Sequence, residues 1–323
     1  MKRIIAAILC VLLVLSLSSA LLSCSEQSND GKIRILCTLF PQYDWIKNIV
    51  GDRDTISVEL LIKNGTDPHS YQPTAADVMA ISNCDIIVYI GAESDKWVQE
   101  ALERAKNSDI KKIALTELEG MTLHDVSSHS HTHGEDDHDH DEHSHGAFDE
   151  HIWLSLGNAK TAVSALAEVM CELDGKNADS YRKNALDYSA KLDALDKEFK
   201  EATASSDEKF MLFADRFPFV YLLSDYGVEY AAAFEGCTTD VDAGFDTVLG
   251  LIKEADEHNV SYIAVTETSG KALAQTVASS AKCKPQIIVM NSLQSVNEKQ
   301  LSEGCSYLGA MRENLEALKT ALN

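Results

Sequence analysis

A long one-sided helix flanked by two runs of alternating strand and helix signals constrains this chain more than any other feature. Tyr181, Ala185, Tyr188, Leu192, Leu195 and Phe199 recur at spacings of four and three, and the opposite face is thick with Lys, Asp and Glu. Before this helix, strand signals at Ile33–Leu39, Ile56–Ile62, Asp85–Gly91 and Lys112–Leu115 alternate with helix signals at Pro41–Val50, Thr74–Ser82 and Asp95–Ala105. A further helix, capped by Asn158, runs to Leu173. After the long helix the pattern repeats. Strands are expected at Phe210–Ala214, Val228–Phe234, Ser261–Thr266 and Pro285–Met290. Helices are expected at Phe217–Tyr226, Phe245–His258 and Lys271–Ala281, with a last one carrying Leu308, Met311, Leu315 and Leu318. Such alternation predicts an α/β fold of two Rossmann-like lobes, each a parallel sheet flanked by helices. The lobes span 32–175 and 205–323, joined by a rigid helix over 176–204. In such sheets ligands bind beyond the carboxyl ends of the strands, so the cleft between the lobes is the expected site.

The N-terminus reads as an export signal. Lys2 and Arg3 precede an apolar run from Ile4 to Leu17, and Leu21-Leu22-Ser23-Cys24 resembles a bacterial lipobox with Cys24 as the lipidated residue. An uncleaved apolar anchor is the alternative; either places the rest of the chain outside the cytoplasm, on the outer face of the cell membrane. Residues 25–31 read as a tether. Removing residues 1–23, which hold two cations and no acid, takes the formal charge from −23 to −25. So acidic a chain, without a basic stripe, excludes nucleic acid as a partner. Cys37, Cys84, Cys171, Cys237, Cys283 and Cys305 are scattered without a Cys-x-x-Cys pair, which excludes a zinc finger or thioredoxin site. Several sit in apolar runs and read as buried thiols.

Nine of the 11 His lie between His124 and His151. His124, His129, His131, His133, His138, His140, His143 and His145 are interleaved with seven acids and no Lys or Arg. The stretch 124–146 has nothing to build a core with and reads as a mobile loop that collects metal ions weakly. Neutral imidazoles beside carboxylates suit zinc, with cobalt, nickel and copper also suited. Three further positions read as a tighter site. His69 lies in Gly65-Thr-Asp-Pro-His-Ser-Tyr-Gln-Pro73, where two prolines restrict the backbone and present the imidazole in one direction. His151 follows Asp149-Glu150 and precedes Ile-Trp-Leu. Glu267 stands at the end of the strand closing in Thr266, where its carboxylate meets the cleft. His258, at a polar helix end, reads as structural.

These segments resemble the extracytoplasmic solute-binding proteins of zinc and manganese ABC importers. That family carries a Gly-x-Asp-Pro-His loop, matched at Gly65, Asp67, Pro68 and His69. It carries an Asp-Pro-His-x-Trp-Leu segment behind a His-rich loop, matched at Asp149, His151, Trp153 and Leu154. A late strand ending in an acid is matched at Val265–Glu267, and the stretches Asp85–Trp97 and Asn291–Val296 also look familial. The resemblance implies a monomeric, lipid-anchored protein that takes up Zn²⁺, with Mn²⁺ as the alternative cargo, and passes it to a permease. It implies ligands at His69, His151 and Glu267. The remaining family ligand falls on Arg216, which cannot bind a cation. Asp215 beside it is the substitute, unless it only pairs with Arg216; a loop His or water is the other way to complete the shell. Two other functions use metal-binding residues of this kind. A zinc hydrolase is disfavoured because neither His-Glu-x-x-His nor Gly-x-Ser-x-Gly occurs. An extracellular zinc buffer or adhesin would use the His-rich loop alone.

Overall fold

The computed structural model describes residues 31–63, 65–105, 107, 109–125, 148–234 and 243–323. The export signal with Cys24, the tether up to residue 30, Cys237, and His129, His131, His133, His138, His140, His143 and His145 lie outside the described residues.

Two four-stranded parallel sheets form the frame. The first holds β1 (Ile33–Cys37), β2 (Ile56–Leu60), β3 (Ile86–Tyr89) and β4 (Lys111–Ala114) in the order β2-β1-β3-β4. The second holds β5 (Phe210–Phe213), β6 (Glu229–Ala232), β7 (Tyr262–Thr266) and β8 (Gln286–Met290) in the order β6-β5-β7-β8. Central strands such as Ile-Ile-Val-Tyr in β3 are buried along their whole length, as parallel strands covered on both faces must be. Each sheet reverses strand order once, between β1 and β3 and between β5 and β7. The loops leaving those strands open a crevice there.

Ten helices among the described residues cover the sheets: α1 (Phe40–Val50), α2 (Ala75–Asn83), α3 (Lys96–Arg104), α4 (Leu156–Leu173), α5 (Ala178–Ala204), α6 (Val220–Asp225), α7 (Phe245–Glu257), α8 (Ala272–Ser280), α9 (Glu298–Ser302) and α10 (Tyr307–Leu322). The long helix is α5. All six residues of its predicted stripe are buried, packed against α1, α4 and α10. One apolar cluster therefore runs from Ile35 and Trp45 in the first lobe through Leu192 and Phe199 to Phe213 and Tyr307 in the second. A smaller cluster, including Leu251, Ile263 and Val277, fills the space beneath α7 and α8.

Two local expectations differ from the structure. Helix α4 is capped by Ser155, whose Oγ accepts the Asn158 N–H at 3.2 Å. Asn158 instead lies inside the helix, and its amide bridges the N–H and C=O of Thr122 at 2.8 and 2.9 Å. Helix α6 begins at Val220 rather than Phe217, because Pro218 lacks an N–H and turns Phe217 away from helical geometry. The short helix α9 adds an element to the expected order, and its signal is the reciprocal cap between Asn297 and Gln300 at 2.9 and 3.0 Å. Cys37, Cys84 and Cys171 are buried free thiols, and Cys283 and Cys305 are also free. Burial pushes the Cys37 and Cys84 thiols up and keeps them protonated. His258 stacks on Phe210 with ring centroids 3.6 Å apart, consistent with a structural role.

Phe199 is fully buried and stacks on Tyr226 at 4.9 Å. Phe199→Ala is expected to lower unfolding free energy by about 3–5 kcal/mol in urea titrations. Leu186→Ala, on the 71% exposed outer face of α5, should stay within about 0.5 kcal/mol.

Candidate metal centre

The first lobe supplies two histidines. His69 sits in a single turn, Pro68–Ser70, capped by Asp67, whose Oδ1 accepts the His69 N–H at 3.0 Å. His151 caps the turn Ile152–Leu154 and is 1% exposed. The two residues are 82 positions apart in sequence, yet their ring centroids lie 5.4 Å apart with planes tilted by 45°.

Each imidazole meets a carboxylate through Nδ1. His69 Nδ1 is 3.0 Å from Glu150 Oε1, and His151 Nδ1 is 2.9 Å from Asp149 Oδ1. An ionised carboxylate only accepts, so the proton of a neutral ring is on Nδ1 in both cases. The lone pair is then on Nε2, the tautomer and orientation that second-sphere carboxylates impose on metal-binding histidines. Glu150 is held from its other side by the N–H of Ser94 at 3.0 Å and by the Ser94 hydroxyl. Burial pushes the Glu150 carboxyl up, but bonding and charge from His69, the charge of His151 and the Ser94 bond outweigh it and hold it at about 2. Glu150 thus stays ionised across the physiological range.

Ser94 is placed by the turn after β3. Asp95 accepts the N–H groups of Ile90, Gly91 and Ala92, closing that turn. Gly91 is required within it. Its φ is +84°, and a Cβ there would come within 2.7 Å of Thr116 Oγ1 and 2.8 Å of Ala114 Cβ.

The second lobe supplies two acids at its strand-order reversal. Asp215 follows β5 and Glu267 follows β7, the two strands flanking that crevice. Asp215 Oδ2 accepts the N–H and Oγ1–H of Thr266 at 2.9 and 2.6 Å. Glu267 accepts the Ser292 N–H at 2.8 Å and the Ser292 hydroxyl at 2.7 Å. Burial pushes the Glu267 carboxyl up, Ser292 draws it back, and the charge of Asp215 adds to the rise. Each of these oxygens retains acceptor capacity for a cation.

Two contacts tie the halves together. Trp153 Nε1–H donates to Ser292 O at 2.8 Å, joining the His151 turn to the Glu267 partner. Arg216 bonds Asp67, the residue that caps the His69 turn. The guanidinium therefore reaches across to the first lobe and does not rest on its neighbour Asp215. Among the described residues, no three His, Cys, Asp or Glu groups converge closely enough to hold a metal as they stand. His69 and His151 are brought together; Asp215 is engaged by Thr266 and Glu267 by Ser292.

The base of the His-rich segment abuts this site. The His124 carbonyl accepts the Asp149 N–H at 2.9 Å, and Asp125 bridges to Phe148. The hydroxyl of Tyr221 accepts the His124 N–H at 3.2 Å and donates to Asp149 O at 2.6 Å. The sequence assigns no individual role to Glu150, Asp67, Ser94 or Ser292. For Glu150 a signal was present, because it stands where the resembling motif has Pro.

Comparison with known proteins agrees with this architecture. The profile of the family described as zinc-uptake complex component A, periplasmic (ZnuA), matches residues 35–321. The high-affinity zinc uptake system protein ZnuA of Bacillus subtilis is 32% identical over 313 residues, covering 97% of this chain and 95% of its own. The zinc-binding lipoprotein AdcA of Streptococcus pneumoniae is 32% identical over 310 residues, 93% of this chain; that match spans only 58% of AdcA. Among solved structures, the metal-dependent lipoprotein YcdH of B. subtilis superposes with a TM-score of 0.74 at 27% identity, covering 90% of this chain and all of that one. Zn(II)-bound AdcA of S. pneumoniae gives 0.71 at 29%, covering 90% of this chain and 58% of that one. The chain therefore belongs to the ZnuA family, that of the periplasmic component A of zinc-uptake complexes.

Proposed function

We propose that this chain captures Zn²⁺ outside the cytoplasm and delivers it to an ABC permease, as a lipid-anchored monomer and not as an enzyme. The observation that carries the reading is the pair His69 and His151, 5.4 Å apart, each with Nδ1 engaged by a carboxylate. Two imidazoles with rings this close suit a borderline-soft ion that prefers nitrogen ligands with carboxylates beside them. The relatives named for zinc uptake and zinc binding support the same cargo. Glu267 and Asp215 complete the shell from the second lobe once each turns toward the ion from its serine or threonine partner. Arg216 takes no part as a ligand. It offsets part of the negative charge of Asp67, Glu150, Asp215 and Glu267, and it holds the His69 turn against the second lobe. The His-rich segment gathers ions beside the tighter site, with its base at His124 and Asp149 next to His151.

Titration with Zn²⁺ and Mn²⁺ against a competing chelator tests the reading. His69→Ala and His151→Ala should each weaken Zn²⁺ on the order of 100-fold, because a four-ligand zinc site is worth about 10–16 kcal/mol. Glu267→Ala should act similarly, and Asp215→Ala separates a carboxylate ligand from a water in the fourth place. Tight binding that survives both His variants would sink the proposal. Deleting 126–145, which keeps the His124–Asp149 staple, should remove weak extra sites and leave the tight one; total loss of binding would favour a buffer instead.

Protonation of an imidazole competes with the metal. Affinity should therefore fall as the pH falls, by up to about two decades per pH unit once both histidines take up a proton. Isothermal titration between about pH 5 and 8 checks it. Arg216→Gln and Asp67→Asn are each expected to weaken Zn²⁺ only severalfold. In a double-mutant cycle they should couple by about 1 kcal/mol, because the pair is partly exposed.

A further inference from the structure

We infer that Glu150 is a positioning residue for metal capture, fixing the tautomer and aim of His69 from a place where the resembling motif carries a side chain that can do neither. The inference rests on His69 being a ligand. Three observations support it. Glu150 Oε1 lies 3.0 Å from His69 Nδ1, and both side chains are largely buried, at 12% and 14% exposure. Glu150 Oε2 is taken by the Ser94 N–H, a group that can only donate, so the carboxylate cannot swing away without stranding that donor. The His69 backbone is itself held by Asp67 and Pro68, so the contact with Glu150 is what sets the ring's direction from a fixed base.

A Pro side chain cannot offer an acceptor to a neighbouring imidazole. The same segment therefore gives His151 its carboxylate through Asp149 and gives His69 one through Glu150, two residues at adjacent positions serving two ligands. An ionised acceptor on Nδ1 makes Nε2 more basic and spares it the choice between tautomers. Outer partners of this kind typically contribute about 10–100-fold to metal affinity.

Glu150→Gln gives a test with an unusual sign. The Ser94 N–H requires an oxygen at its end of the side chain, so the amide nitrogen must face His69. That places an N–H donor against Nδ1 and drives the imidazole proton to Nε2, the nitrogen needed for the ion. Glu150→Gln should therefore weaken Zn²⁺ by about 10–100-fold, measured against a competing chelator. In the ¹⁵N spectrum of its metal-free form, His69 should change from the Nδ1–H to the Nε2–H tautomer. A purely structural role for Glu150 would leave that spectrum unchanged. Glu150→Asp keeps the charge near Ser94 but falls short of His69; it should lose affinity too and show mixed tautomers, and it serves if Glu150→Gln does not fold. A Glu150→Gln protein that binds Zn²⁺ within threefold of wild type, or keeps the Nδ1–H tautomer, overturns the inference. His69→Ala separates the two levels. If it loses binding while Glu150→Gln does not, only the role of Glu150 falls. If it binds as wild type, the ligand reading falls and takes this inference with it.

Discussion

The burial of one face of α5 is the interaction on which the rest of the structure depends. Tyr181, Tyr188, Leu192, Leu195 and Phe199 are each at most 3% exposed, and they pack against α1 and α4 on one side and α10 on the other. A side chain of that size contributes about 1.5–3 kcal/mol when fully buried. The outcome is one apolar cluster spanning both lobes instead of two cores with a polar seam. Lobes joined in this way do not swing as independent bodies, since a large apolar interface removes the relative motion expected of separate domains. Local freedom is left to the loops at the strand ends, where Asp215 is engaged by Thr266 and Glu267 by Ser292.

The site shows how charge is managed where strand ends from two sheets meet. Asp67, Asp149, Glu150, Asp215 and Glu267 gather there, and each is engaged by a named donor: the His69 N–H with Arg216, His151, His69 with Ser94, Thr266, and Ser292. Burying so many carboxylates is tolerable only because each is hydrogen-bonded, and several are offset by a nearby cation or imidazole. These partners leave the strand ends strongly negative, a setting that attracts cations. The interlobe bonds from Trp153 and Arg216 sit directly behind the two histidine turns, so the same contacts that join the lobes hold those turns in place.

Much of this is legible in the amino-acid sequence. The parallel strands read as unbroken apolar runs because both faces are covered, and the stripe on α5 read at helical spacing because one face is covered. His69 stood out through its flanking prolines, and His151 through its place at the end of the His-rich stretch. Local rules failed where two signals competed. Asn158 is a good cap, yet Ser155 three residues earlier took that role and released the Asn158 amide for Thr122. Pro218 should have moved the start of α6 downstream, since the residue before a proline avoids helical geometry.

The sequence by itself determined the order of elements, the two α/β halves and the residue types able to meet a metal. Periodicity and turn chemistry act over a few residues and are written locally. Only the tertiary structure decided partners. Glu150 reaching His69, Arg216 crossing to Asp67 and Trp153 reaching Ser292 join positions that lie 81, 149 and 139 residues apart. No local pattern encodes such pairings, because they arise when the packing of α5 brings the carboxyl ends of two separate sheets together.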